Sequence, residues 1–187
     1  EFTVGLYSGW RRVAVRLLEG FLIRRCAFTI VVNDSIADRV QKIHRLRQRP
    51  VVVRSTPYLW PIDDAATRQQ RHQFLTELRM PEDTFIIMYH GGVLRNRGVE
   101  PSIRALRASP NVALIVLGDA EDPAYIDSLK QLARDLKVQD RVLFKPSVPI
   151  KDLARLIGAA DVGMILLPPT SENQTLTLPN KFFENIQ

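Results

Sequence analysis

The sequence contains a single cysteine, Cys26, among its 187 residues. One cysteine cannot form an intramolecular disulfide, so the chain is not a disulfide-stapled secreted domain, and a reducing compartment is the default expectation. No apolar run approaches the roughly 20 residues of a membrane-spanning helix. No signal peptide is visible after Glu1 and Phe2. With 45% hydrophobic and 25% charged residues, the composition is that of an ordinary globular protein.

Histidine is also scarce, with three copies in the chain. His90 has no second histidine, cysteine or acidic residue at the spacing of a metal site, so we predict no metal ligands. We interpret His90 as a residue at the end of a strand. Asp119 is interpreted as a turn or helix-cap residue. Asp161 precedes a predicted strand, and we expect no catalytic role for it.

Positive charge is concentrated in the first third of the chain. Residues 1–54 carry 11 Lys/Arg and 4 Asp/Glu, whereas residues 55–187 carry 15 and 16, and the net charge is +6. This distribution weighs against a nucleic-acid groove spread over the protein and favours one local basic face.

The pattern of residues 10–25 predicts a basic amphipathic helix. Its apolar face either covers a sheet, which we prefer because most such helices cover a core, or lies on an anionic membrane surface.

Short apolar segments alternate with helical patterns along the chain. Strands are predicted at 28–32, 51–53, 85–88, 112–117, 141–144 and 162–167. Such alternation through short connections predicts an α/β fold with a parallel sheet and right-handed crossovers. The stretch Arg54 to Asp64 contains two prolines and no periodicity, which indicates a linker. Residues 170–177 predict a polar loop, and Pro179 suits the first turn of a final helix.

Residues that can bind anions follow three of the predicted strands. They lie in the segments Gly91 to Gly98, Gly118-Asp119 and Leu178 to Glu184. In a parallel sheet these strand ends share one edge, where backbone N–H groups and basic side chains hold phosphates. Lys181 can offer charge to a phosphate, and Glu184 can accept hydrogen bonds from sugar hydroxyls. The combination predicts a site for a nucleotide or a nucleotide sugar.

Five segments occur in the order and spacing of the C-terminal domain of retaining GT-B glycosyltransferases: YHGGVLRNRG, VALIVLGD, DRVLFKPSV, AADVGMILLP and LPNKFFE. The sequence resembles the glycosyl transferases group 1 family, which includes many bacterial polysaccharide enzymes. The segments AFTIVVNDSIADRV and VVVRSTPY resemble the end of the family's N-terminal domain and its linker. The resemblance implies Rossmann-like parallel sheets with helices on both faces. It also implies three regions: residues 1–56 end an acceptor-side domain, 57–64 form the interdomain linker, and 65–187 form an incomplete nucleotide-sugar-binding domain.

The resemblance implies a role for each residue around the donor diphosphate. Gly91 and Gly92 form the loop that approaches the diphosphate. Arg97 and Lys181 are the catalytic residues, because they stabilise the negative charge of the leaving group. Many family members have an arginine where Gly92 stands, so one phosphate contact is either lost or supplied by Arg95.

The resemblance also implies contacts with the rest of the donor. Leu178 and the amides around Asn180 border the site, and Glu184 matches the glutamate that binds the ribose. The base lies against a turn, largely through its backbone, formed by Lys145, Pro146 and Ser147. Many members have a glycine where Pro146 stands and a glutamate near Leu176, so the resemblance leaves the sugar specificity open.

The implied function is transfer of a sugar, with retention of configuration, from a nucleotide sugar to a glycan or lipid-linked acceptor in bacterial polysaccharide or glycolipid synthesis. No cofactor and no nucleic-acid partner are expected. The expected location is cytoplasmic, and the basic first helix is compatible with a peripheral position on the inner membrane face. We expect the chain to be a fragment without turnover of its own, because it stops inside the LPNKFFE helix. Two alternatives remain: a nucleotide-sugar epimerase of the same fold, and a non-catalytic scaffold module.

Overall fold

A computed structural model describes residues 9–169 and 171–187, without the side chains of Arg12 and Asn173. Within these residues the chain divides into two compact units, a first unit up to Thr56 with Pro169–Asn180, and a second unit of Pro57–Pro168 with Lys181–Gln187. None of the described helices is long and apolar enough to cross a bilayer.

Helices and strands alternate along most of the described chain. The elements are α1 (Trp10–Ile23), β1 (Ile30–Val31), α2 (Asp34–His44), β2 (Val51–Val52), α3 (Asp64–Leu78), β3 (Phe85–His90), α4 (Val99–Ala105), β4 (Val112–Leu117), α5 (Pro123–Asp135), β5 (Val142–Lys145), α6 (Ile150–Gly158), β6 (Val162–Gly163), α7 (Glu172–Leu176) and α8 (Asn180–Asn185).

The first unit is built on the parallel strand pair β1 and β2, in which Ile30 pairs with Val51. Asn33 caps α2, because its side chain accepts a hydrogen bond of 2.8 Å from the Ile36 N–H. Within the described residues, no sheet is covered by the apolar face of α1, contrary to the preferred interpretation: Trp10 is 75% exposed and Leu17 is 70% exposed.

α7 corrects the prediction of a polar loop at 170–177. Ser171 caps this short helix, since its hydroxyl accepts a hydrogen bond of 3.2 Å from the Gln174 N–H. The Asn33 amide donates to the carbonyl oxygen of Leu176 at 2.7 Å, so the end of α7 is fastened to the start of α2 within the first unit. Capping and a tertiary hydrogen bond therefore stabilise a helix whose sequence shows no apolar periodicity.

The second unit contains a four-stranded parallel sheet in the order β5-β4-β3-β6. Phe85 to His90 pair in register with Val112 to Leu117. The predicted α/β fold with a parallel sheet is therefore confirmed. The predicted strand 162–167 is too long, because after Gly163 the chain leaves the sheet. Leu166 packs so closely on Gly98 that a Cβ on this glycine would lie 2.2 Å from the Leu166 Cβ.

Helices cover both faces of this sheet. Ile86 and Met88 pack with α3 and α6, whereas the alternate residues Ile87 and Tyr89 pack with α4 and α5. Burial of both faces explains why β3 and β4 read as nearly continuous apolar runs. The carboxyl ends of β3, β4 and β5 then form a single edge.

Asp161 has a structural role that its sequence position did not indicate. Its Oδ2 accepts a hydrogen bond of 2.7 Å from the Ile86 N–H and one of 3.0 Å from Arg71 Nη1. Arg71 also donates to the carbonyl oxygen of Thr84 at 2.7 Å. These contacts fasten α3 to the start of β3.

Candidate functional site

The chain leaves β3 and β4 through two glycines that touch. Gly91 has φ +95 and Gly118 has φ +148, and a Cβ on Gly118 would lie 2.1 Å from the Gly91 carbonyl oxygen. Only glycine fits this approach. The Gly91 N–H donates to Leu117 O, and the Gly118 N–H donates to Lys145 O, both at 2.9 Å. The ends of three strands are thereby fixed side by side.

Lys181, in α8, lies over this edge of the sheet. A Cβ on Gly91 would lie 2.9 Å from Lys181 Cε, so the glycine makes room for the lysine stem. The ammonium nitrogen is 3.8 Å from the centroid of the Tyr89 ring, a cation–π contact. The Tyr89 hydroxyl donates to the carbonyl oxygen of Gly92 at 2.5 Å, which holds the ring in place. Among the residues with described placement, Lys181 has no hydrogen-bond or ion-pair partner.

Arg97 adds a second positive charge to this edge. Burial, and then the nearby charge of Arg97, lowers the pKa of Lys181 from 10.5 to about 8, while Glu184 acts in the opposite direction. Burial raises the pKa of Tyr89, and Arg97 opposes that change as well. Arg97 is half-buried, and within 9–169 and 171–187 it has no hydrogen-bond or ion-pair partner. Two cations close to each other without a paired carboxylate form an arrangement that an anion stabilises.

Glu184 and His90 contact each other at the same edge of the sheet. His90 is the last residue of β3, as predicted, and is 2% exposed. Its Nδ1 is 3.5 Å from Glu184 Oε2, and its Nε2 is 3.1 Å from Asn185 Oδ1. Burial lowers the pKa of His90 to about 4, so the ring is neutral at physiological pH and its contact with Glu184 is not an ion pair. Burial raises the pKa of Glu184, and Lys181 opposes this.

The structure therefore brings together four residues that the sequence predicts for the diphosphate and ribose: Gly91, Arg97, Lys181 and Glu184. Tyr89 and Asn185 join them, although no sequence motif marks either residue. An aromatic residue directly before a His-Gly-Gly turn is the one signal that could have indicated Tyr89. Over the described ranges, no group of three or more His, Cys, Asp or Glu side chains could hold a metal ion.

Arg95 differs from these residues in its contacts. Its guanidinium carbon is 4.6 Å from the centroid of the Tyr125 ring in α5. The two side chains border an open groove of about 520 Å³ that also contains Gly98 and Leu166. The phosphate contact of Arg95 stays a prediction.

The turn predicted for the base has its donors occupied. Lys145 Nζ forms an ion pair with Glu77 of α3 at 2.6 Å. The Ser147 N–H donates to Asp119 Oδ1 at 3.4 Å, and the Ser147 hydroxyl donates to the same carboxylate. Pro146 has no N–H to offer. A base that accepts a hydrogen bond from the Ser147 N–H would therefore require the bond of this N–H to Asp119 to open.

Leu178 and Asn180 fall in the first unit. Leu178 is half-buried, and Asn180 is exposed as the first residue of α8. Their predicted contacts with the donor stay predictions.

A parallel sheet covered on both faces, with a cationic, glycine-lined edge at the carboxyl ends of its strands, defines a doubly wound α/β protein, a class in which ligand sites lie at that edge. Residues 70–177 match the family model described as glycosyl transferases group 1. This match covers more than half of the chain, and the chain belongs to the glycosyl transferases group 1 family.

Two curated relatives are D-inositol 3-phosphate glycosyltransferases. The Xylanimonas cellulosilytica protein is 34% identical over 115 residues, which cover 60% of this chain and 27% of the relative. The Mycobacterium marinum protein is 30% identical over 146 residues, which cover 77% of this chain and 30% of the relative. The chain thus spans less than a third of the length of these curated relatives.

Solved structures establish the fold type. Anabaena HepE in complex with UDP and glucose matches with a TM-score of 0.68 and 19% identity, over 87% of this chain and 43% of that one. Sucrose-phosphate synthase from Thermosynechococcus elongatus matches with a TM-score of 0.63 and 20% identity, over 86% of this chain and 39% of that one. The GT-B fold implied by the sequence resemblance is confirmed.

Proposed function

We propose that the second unit binds the nucleoside diphosphate of a sugar donor, as the donor-binding part of a glycosyltransferase. The observation that carries this proposal is the pair of unpaired cations at the sheet edge: Lys181, whose stem lies over Gly91, and Arg97, whose charge acts on Lys181. A diphosphate would supply the negative charge that these two side chains lack. The names of the curated relatives and the UDP and glucose bound to the Anabaena protein support a nucleotide-sugar donor.

The proposed chemistry breaks the bond between the anomeric carbon and the diphosphate, with retention of configuration. Negative charge develops on the leaving phosphate oxygen as this bond breaks. Lys181 is held by packing and both side chains are partly buried, so they stabilise that charge with little loss to solvent. Glu184 accepts hydrogen bonds from the donor ribose. We propose no metal ion in this step, because the charge of the leaving group is met by the two side chains.

The acceptor in this proposal is a glycan or a lipid-linked sugar of bacterial polysaccharide or glycolipid synthesis. Because the chain spans 22% to 30% of the curated relatives it matches, transfer is proposed for the whole protein and donor binding for this chain. The proposed location is the cytoplasmic face of an anionic membrane. The exposed apolar face of α1, with Trp10 and Leu17, and the arginines on the same helix support it, because apolar burial and attraction to anionic lipid reinforce each other.

Vesicle flotation tests the membrane part of the proposal. The chain is expected to float with vesicles of phosphatidylglycerol and phosphatidylcholine. It should not float with vesicles of phosphatidylcholine alone. Leu17→Glu should abolish flotation, whereas Leu59→Glu, at an even more exposed position outside α1, should not. Equal flotation of all three proteins would contradict a role for α1.

Calorimetry with UDP and GDP tests donor binding directly. We expect one of the two diphosphates to bind the chain with a 1:1 stoichiometry. Absence of binding by both would favour the scaffold alternative. Incubation of the whole protein with sugar nucleotides distinguishes a transferase from an epimerase. Release of the nucleoside diphosphate with sugar transfer indicates a transferase, and isomerisation of the sugar indicates an epimerase.

A further inference from the structure

His90 has no part in the donor contacts described so far, although its ring lies in the middle of the site. The side chain is 2% exposed at the end of β3. Its Nδ1 faces Glu184 and its Nε2 faces Asn185, the next residue of α8. A buried polar ring loses its hydration, so its nitrogens must find partners within the protein. The identity of those partners fixes what the ring can do.

The partners of His90 determine where its single ring hydrogen lies. A neutral imidazole has one N–H donor and one acceptor nitrogen, whereas the Glu184 carboxylate can only accept. With the hydrogen on Nε2, the Nδ1 lone pair would face Glu184 Oε2 at 3.5 Å and repel it. With the hydrogen on Nδ1, the ring donates to the carboxylate. The second tautomer is therefore the compatible one when Glu184 is ionised.

The Asn185 amide is compatible with the same tautomer once its oxygen and nitrogen are exchanged. Its Nδ2 is buried and has no hydrogen-bond partner in the described part of the chain, while its Oδ1 lies 3.1 Å from His90 Nε2. Exchanging the amide oxygen and nitrogen gives Nδ2 a partner and gives Nε2 the donor that it requires. This assignment gives both ring nitrogens and the carboxylate a partner, and it leaves an amide oxygen rather than an amide N–H at the buried position without a partner.

Gly163 keeps the amide in this place. A Cβ on Gly163 would lie 2.2 Å from Asn185 Cγ, so the amide is wedged between β6 and the His90 ring. The ring is consequently held by the sheet on one side and by Asn185 on the other. A donor fixed in this way can hold the flexible Glu184 side chain in one orientation.

We propose that His90 is a positioning residue that donates from Nδ1 to Glu184 and orients its carboxylate for the two ribose hydroxyls of the donor. The inference rests on the proposed function, since it assigns His90 a task within the same site. Its consequence is selectivity: an oriented carboxylate accepts from both hydroxyls of a ribonucleotide, whereas a 2′-deoxyribonucleotide can satisfy only one of them. The chain should therefore prefer UDP or GDP over the corresponding 2′-deoxy compound.

Two substitutions separate the two ring nitrogens. His90→Asn places an amide nitrogen near the position of Nδ1 and retains a donor to Glu184. His90→Gln places its amide near Nε2, where it contacts Asn185 and leaves Glu184 without a donor. Calorimetry of UDP, dUDP, GDP and dGDP with the full chain then gives the ribose preference of each variant.

Wild type is expected to bind the ribonucleotide about tenfold to a hundredfold more tightly than its deoxy analogue, as for a hydrogen bond to a charged group. His90→Asn should keep that ratio within about threefold, and His90→Gln should reduce it to about threefold or less. An unchanged ratio in both variants would overturn the inference, as would equal loss of ribo- and deoxynucleotide affinity. A wild type that binds UDP and dUDP equally would overturn it too, with donor binding intact. A wild type that binds no nucleoside diphosphate would instead refute the proposed function.

A second measurement covers the case in which the variants do not fold. Long-range ¹H–¹⁵N spectra of the wild-type chain distinguish the two imidazole tautomers by the shifts of their nitrogens. A hydrogen on Nδ1 supports the inference, and a hydrogen on Nε2 at neutral pH overturns it.

Discussion

The ammonium nitrogen of Lys181 lies 3.8 Å from the centroid of the Tyr89 ring. This contact compensates part of the cost of burying the charge, and the close passage of the lysine stem over Gly91 directs the ammonium to the end of β3. Burial has the largest effect on the pKa of Lys181, and the charge of Arg97 lowers this pKa further. The lysine is therefore held in place by packing rather than by an ion pair, which leaves its charge available to a ligand.

Removal of either cation should weaken nucleoside diphosphate binding while leaving the fold intact. Lys181→Met keeps the stem over Gly91 and removes the charge, and Arg97→Gln shortens and neutralises the second cation. Each should lower the affinity for UDP or GDP by about tenfold to a hundredfold, the value of a hydrogen bond to a charged group. Isothermal titration calorimetry measures the change.

Lys151→Met is the matched control for these two variants, because Lys151 is exposed on α6 and lies outside the site. Its affinity should equal that of wild type. Equal affinities for all four proteins would show that the diphosphate does not contact Arg97 or Lys181.

Nucleoside diphosphate affinity should fall as the pH rises through about 8, the pKa of Lys181 in the free chain. Binding requires the charged lysine, so above this pKa each binding event takes up a proton, and the affinity falls by at most about tenfold per pH unit. The bound anion raises the pKa of the lysine, which places the end of the decline above pH 8. Phosphate groups do not titrate in this range, since their second pKa is about 6. Calorimetry between pH 7 and 10 measures the slope, and Lys181→Met should remove it.

The same lysine should affect folding stability with the opposite sign. Its pKa is lowered from 10.5 to about 8 in the folded chain, so between these values the unfolded chain binds more protons. The free energy of unfolding should then rise with pH between about 8 and 10.5 relative to Lys181→Met. Urea denaturation at pH 7.5, 9 and 10 gives this difference, and a difference that falls with pH would contradict the assignment.

The sequence predicts those features that depend on local pattern. The apolar run before His90 acts over a few residues, and the structure has a strand there that ends at His90. β6 was predicted too long, since the close contact of Leu166 with Gly98 joins residues distant in sequence. The helix α7 was missed for a similar reason, since its end is fastened by Asn33.

The site shows the same division between local and long-range information. Motif spacing predicts that Gly91, Lys181 and Glu184 share an edge, and the structure places them together. No local pattern could indicate that His90 would lie between Glu184 and Asn185, because this depends on how α8 docks on the end of β3. Buried hydrogen bonds between distant elements are thus the part of the site that sequence periodicity cannot supply.

Two glycines of the site should respond very differently to alanine. A Cβ on Gly118 would lie 2.1 Å from the Gly91 carbonyl oxygen, and the residue has φ +148. Gly118→Ala should therefore cost about 3 kcal/mol or more in free energy of unfolding, since it combines backbone strain with a clash that cannot relax.

Gly92→Ala is the matched control for Gly118→Ala. The nearest atom to its Cβ would be Leu94 Cγ at 4.0 Å, and its φ is not positive. The substitution should change stability by no more than about 0.5 kcal/mol. Urea denaturation of both variants at pH 7.5 makes the comparison, and similar losses would show that the strand ends are not packed as described.

Asp161 should contribute to stability more than its partly exposed position suggests. Its carboxylate accepts from the Ile86 N–H at 2.7 Å and from Arg71 at 3.0 Å. Asp161→Ala leaves the N–H of a fully buried strand residue without an acceptor, and Arg71 loses its charged partner. We expect a loss of about 1–3 kcal/mol in the free energy of unfolding, the cost of an unsatisfied buried donor. Asp127→Ala removes an exposed carboxylate 3.9 Å from Lys130 and should cost less than about 1 kcal/mol. If urea denaturation gives the two variants the same stability, the Ile86 N–H must bond to another acceptor when Asp161 is removed.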